Sequence, residues 1–257
     1  MALNPFHGLR RKKPTGFLYV ADERRDPRFA TARPGEVIRN ATHEAPWIVV
    51  EHTLDGVLVT SWPGVLWEAE VVDALQTQEH SGAYTRAVAV RLVRRLPPHI
   101  LFGPHGEAVA WVADRIATLS YQDADTLAHS RAPDAARLYG DAWRNWDGLS
   151  PDKRGLEDWE GVIGAGTGGP VSPVGRGLST VFNAVVNRAL EIGGDAATLI
   201  EEGPETDPDL HLAEPWATAS LALIEAAMAL GAPDLLPEDD RTALAAPWRA
   251  LTGPSLS

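Results

Sequence analysis

At 257 residues and 27.7 kDa, with 44% hydrophobic residues, the chain is long enough to bury a full core, as one large domain or two small ones. It has no cysteine, which excludes disulfides, thiolate nucleophiles, Cys-ligated zinc and Cys-held iron–sulfur clusters. The net charge of -12 disfavours nucleic acid as a partner and sits almost wholly at one end: residues 151–257 carry 17 acidic and 6 basic side chains, against 18 and 17 before them.

The first 45 residues are polar and broken by Pro and Gly. Arg10-Arg11-Lys12-Lys13 gives the start a basic character, and residues 1–16 read as a flexible basic arm able to pair with the acidic half. No apolar run suits a signal peptide or a membrane span, so the expectation is a soluble cytoplasmic protein with no membrane contact.

Three β-rich runs follow, Pro46 to Leu54, Val57 to Trp62 and Val65 to Val72. The breaks between them, Asp55-Gly56 and Pro63-Gly64, are turn signals, which predicts a three-stranded antiparallel meander. Thr85 to Val93 alternates as a fourth strand with one buried side, while Phe17 to Val20 and His99 to Phe102 can add edge strands.

The period then changes to that of a helix. Pro104, Glu107 and the stripe Val109, Val112, Ile116 and Leu119 predict a helix over 104–119. Ser120 with Asp123 spells a capping box for a short helix to Ser130, and residues 134–146 give another with Leu138, Tyr139, Ala142 and Trp146 inward. Gly148 to Gly177 holds nine glycines and three prolines and reads as a loop or linker.

Beyond it, Leu178, Val181, Phe182, Val185, Ala189 and Ile192 mark an amphipathic helix stopped by Gly193-Gly194. Pro215 to Leu230 is apolar nearly all round, as a central helix would be. A last helix begins at Pro237 with three acidic residues in its first turn, and Pro247 is expected to kink or end it.

The fold expected is α+β: an antiparallel sheet of four to six strands with covering helices over 1–147, a Gly/Pro-rich connection over 148–177, and an acidic all-helical unit over 178–257.

No stretch spells a reaction. Gly-x-Ser-x-Gly, the phosphate-loop signature and His-Glu-x-x-His are all missing. Gly164 to Gly169 has the G-x-G-x-x-G spacing, but no strand precedes it, and Pro170 and Pro173 interrupt the helix that should follow. Gly166 and Gly168 are therefore read as part of a loop that covers or cradles a ligand, not as a dinucleotide site.

Glu51 and His52 are the densest acid/base pair, although strand alternation points them to opposite faces; with no third ligand beside them, neither a metal nor a cofactor is implied. His105 falls at a strand-to-helix turn, suited to proton transfer, and Arg86 can hold an anion. Arg176, Asn183 and Asn187, with Thr180, are expected on the helix face opposite the apolar stripe, where they could grip a polar ligand.

Two functions are consistent with these features. One is an accessory protein that binds a protein partner through its acidic, Trp-containing surface. The other is a metal-independent acid/base enzyme acting on a small polar ligand, with its cleft between sheet and helical unit.

Overall fold

The computed structural model describes residues 14–21, 26–75, 83–150, 172–201 and 209–253. In chain order the elements are β1 (Thr15–Ala21), α1 (Pro27–Thr31), β2 (Val37–Arg39), β3 (Ile48–Glu51), β4 (Gly64–Ala74) and β5 (Tyr84–Leu96), then a 3-10 turn over Pro98–Phe102. Helices α2 (Gly106–Ile116), α3 (Tyr121–Ser130), α4 (Ala135–Asp147) and α5 (Pro173–Gly193) follow. The described chain closes with β6 (Thr198–Glu201), β7 (Asp209–Leu212), α6 (Trp216–Gly231) and α7 (Glu238–Thr252).

The 13-residue strand β5 organises the sheet. Antiparallel β4 pairs along one edge, from Leu66↔Leu96 to Ala74↔Ala87. On the other edge β3 takes the first part of β5, with Ile48↔Ala87, and β2 the next, with Ile38↔Val90. Strand β1 pairs along β4 and meets β3 at Phe17↔Glu51, which closes β5, β3, β1 and β4 into a small barrel. Irregular register in β4, at Glu68/Ala69 and between Val71 and Ala74, supplies the bend that closure needs. At the β1–β3 contact only glycine fits, because a Cβ on Gly16 would lie 2.1 Å from the Glu51 carbonyl oxygen.

Leu18, Ile48, Val50, Val65, Trp67, Val90 and Leu92 fill the barrel, and Phe29 of α1 joins them. The Trp67 indole N–H, fully buried, donates to the Phe29 carbonyl at 3.1 Å. Strand β5, expected to bury one side only, has Ala87, Val88, Ala89 and Val90 all buried, so both of its faces are covered over this stretch.

Several expectations are corrected here. Strand β1 is not an edge: it lies between β3 and β4. Asp55-Gly56 does form a turn, but the chain after it leaves the sheet; Val57 is buried in the helical core because β1, not the next segment, takes β3's free edge. Residues 98–102, expected to add an edge strand, form a 3-10 turn instead, since Pro97-Pro98 removes two donors from any ladder.

The helices match their sequence signals more closely. Ser120 and Asp123 form the reciprocal capping box on α3, and Gly194 ends α5 at a positive φ of 53°. Pro247 neither ends α7 nor stays outside it: the helix runs on to Thr252 with Pro247 buried. The region after residue 178 is not all helical, since β6 and β7 pair as a short antiparallel ribbon between α5 and α6.

Val109, Val112 and Ile116 of α2, Leu138 of α4, Val181 and Val185 of α5, Leu223 and Met228 of α6, and Trp248 of α7 belong to one apolar core. Helices on either side of residues 151–171 therefore share their packing, and the charge boundary in the sequence does not coincide with a gap in the core.

Residues 52–63 strap the barrel to these helices. Tyr19 donates to the Ser61 carbonyl at 2.8 Å, and the Trp62 indole donates to the Asp114 carboxylate at 2.6 Å while its ring lies 5.1 Å from that of Phe102. Among the described residues no helix is long and apolar enough to cross a membrane.

Candidate functional site

The structure divides the expected catalytic residues between two places. Glu51, His52 and Arg86 lie where β3 meets β5; His105 lies at the start of α2.

Residues opposite one another in adjacent strands share a face, so Glu51 projects with its partners Tyr84 and Phe17. Phe17 packs on the helical core, which turns this face toward the helices. The Glu51 carboxyl is half-buried there, close enough to residue 56 that a Cβ on Gly56 would stand 2.8 Å from Oε2. Desolvation by burial raises its pKa to about 7.

His52 follows the strand, its Nε2 2.9 Å from Thr85 Oγ1. Arg86 stacks 4.9 Å above the Trp47 ring and 5.6 Å from that of Tyr84, whose hydroxyl accepts from its Nη2 at 3.3 Å. These contacts engage Arg86 with its own neighbours. The group that stands out chemically is Glu51, a carboxyl poised to hold or release a proton near neutrality.

His105 occupies the N-cap position of α2 without a capping hydrogen bond from its side chain, and lines a cavity of about 880 Å³. Glu107 and Trp111 come from the same helix, Leu230 from the end of α6, and Glu238, Trp248, Arg249 and Thr252 from α7. The Trp111 and Trp248 rings meet edge to face at 4.7 Å and 81°.

The polar groups here are incompletely engaged. Glu238 pairs with Arg241, but among the described residues neither Glu107 nor Arg249 has an ion-pair partner, and the buried indole N–H of Trp248 has no acceptor. Glu51, His52 and Arg86 do not line this cavity, so the four residues do not converge on it.

The expected ligand face of α5 also separates. Arg176 is buried, at 4% exposure, and donates to the carbonyls of Asp55 and Leu101, both at 2.7 Å. Burial lowers its pKa, partly offset by Asp55. Thr180 is buried beside it and donates to the Arg176 carbonyl at 2.8 Å. The inward face is thus turned toward 176 and 180, and Phe182 and Ile192, expected inside, lie exposed. Arg176 braces barrel, turn and helix together.

Asn183 and Asn187 stay on the outer face. Asn183 lines a second cavity, of about 470 Å³, between α4, α5 and α6. Gly166 and Gly168, with the rest of 164–169, lie outside the described residues. Among the described residues no group of three His, Asp or Glu side chains is placed to hold a metal ion.

Sequence reasoning missed Trp111, Glu238, Trp248 and Arg249 as site residues. Helical spacing puts Trp248 and Thr252 on one face of α7 and Glu107 and Trp111 on one face of α2, but nothing local says that those faces meet. Compared with family models, curated proteins and solved structures, the chain matches none.

Proposed function

We propose that the protein binds a small amphipathic molecule in the cavity between α2, α6 and α7. The observation that carries this reading is the pairing of apolar surface, Trp111, Trp248 and Leu230, with charged groups that have no ion-pair partner among the described residues, Glu107 and Arg249. Concave apolar sites with a few convergent polar groups are where small ligands bind. A planar body would lie against the indoles and an anionic end would meet Arg249. His105 and Glu107 bring a proton donor and acceptor to the mouth, so the chemistry open to a bound molecule is acid/base.

Calorimetric titration with benzoate, cinnamate and the uncharged benzamide tests this. Saturable binding of the carboxylates is expected, weakened about tenfold in the amide and in Arg249→Gln, whose exposed position leaves the fold intact. Carboxylates that bind Arg249→Gln as well as the parent, or that do not bind at all, would sink the reading.

A second reading, a surface for a basic protein partner, draws support from Phe182, Leu190 and Leu221, large apolar side chains exposed on the helices in a region of strong negative charge. Association that weakens steeply with added salt would be its signature.

A further inference from the structure

The second cavity, about 470 Å³, opens where α4, α5 and α6 meet. Tyr139 and Trp143 of α4 and Phe182 of α5 contribute three aromatic rings to its walls, Ile224 adds apolar surface, and Asn183 is the amide among its lining residues. Tyr139 and Trp143 are four residues apart on one helix and meet edge to face, with centroids 6.2 Å apart and planes at 89°. Phe182 is 44% exposed, which burial in the core would have avoided.

No Lys or Arg lines this cavity, and the chain from residue 151 onward carries 17 acidic against 6 basic side chains. Burial pushes the Tyr139 hydroxyl above its ordinary range, partly offset by its hydrogen bond with Trp143.

Aromatic faces carry negative charge density, and several of them around a cation attract it most when the cation gives up little hydration. We propose that this cavity is an aromatic cage for a trimethylammonium group. A simple ammonium would lose hydrogen bonds to water that an aromatic box cannot replace, whereas a fully methylated nitrogen has no N–H to leave unsatisfied. No Lys or Arg among the lining residues opposes a bound cation.

Tetramethylammonium, choline and 3,3-dimethylbutan-1-ol, the uncharged isostere of choline, are titrated calorimetrically against the whole protein. The cations are expected to bind saturably and the alcohol at least about tenfold more weakly. Phe182→Leu, at an exposed position where thermal unfolding can confirm an intact fold, is expected to weaken tetramethylammonium binding, and Trp143→Leu to weaken it further.

A trimethyllysine peptide binding more tightly than choline supports the cage with a modified protein as its source; the reverse order supports it with a free quaternary amine. Equal affinity for choline and the alcohol, no binding of either cation at millimolar concentration, or unchanged affinity in Phe182→Leu overturns it.

Discussion

Removing Arg131 should cost far more than removing its partner Glu225, and the two costs should not add. Glu225 lies in α6 with its side chain 3% exposed, while Arg131, at the C-cap of α3, is 20% exposed. The guanidinium grips both carboxylate oxygens, Nε to Oε2 at 2.9 Å and Nη2 to Oε1 at 2.5 Å, and this contact raises the pKa of Arg131.

Arg131→Ala strands a buried carboxylate, a change worth about 3–5 kcal/mol at neutral pH. Glu225→Ala strands a guanidinium that can turn to water, so about 1–2 kcal/mol is expected. Replacing both with Met keeps volume and removes both charges, so the double variant should fall within roughly 1 kcal/mol of the parent. Urea unfolding followed by circular dichroism measures all of these, with unchanged m-values as the check on the denatured state. Equal costs for the two alanine variants, or a double variant as unstable as their sum, would refute the argument from burial.

Glu51→Gln should flatten part of the pH dependence of stability. The folded state holds the Glu51 proton up to about pH 7 instead of 4.5, so its contribution is complete below about pH 4.5 and lost as pH rises through about 7. The full shift corresponds to roughly 3 kcal/mol, and about 1 kcal/mol after solvent screening at this half-buried site. Parallel urea titrations on either side of that window check it, and an identical pH slope in both proteins would count against the desolvated carboxyl.

Arg176→Met should destabilise by about 2–4 kcal/mol, since two carbonyls lose their donor, and ligand affinity in the α2–α7 cavity should be untouched. A loss of affinity without a loss of stability would restore the ligand role. Ser120→Ala should cost about 1 kcal/mol by opening the capping box, read as a lower midpoint for thermal unfolding. No change would mean that α3 is held by packing alone.

The helices were readable because their signals are local. Ser120 and Asp123 are three residues apart, Gly193-Gly194 stops α5 where the apolar period ends, and the all-round apolar run after Pro215 has to be central in any packing. Strand pairing had no such signal. The turn at Asp55-Gly56 suggested a hairpin to the next segment, yet β3 pairs with β1 across more than 30 residues, at a contact that depends on Gly16 lacking a Cβ. The four-residue strands β6 and β7 and the three-residue β2 are too short for alternation to register.

The candidate site failed to read for a related reason. Polarity along α5 placed Arg176 and Thr180 on a solvated face, but a guanidinium that finds two carbonyls and a hydroxyl that finds the preceding turn can both be buried. Their burial turns the helix and leaves Phe182 outside, beside Tyr139 and Trp143. Rotating the helix about its axis thus exchanges an expected polar grip for an aromatic one, and the partners that decide the rotation, Asp55 and Leu101, lie in the barrel strap and the 3-10 turn, 121 and 75 residues away. Local pattern can identify an amphipathic helix; which residues it offers a ligand depends on what the rest of the chain can satisfy.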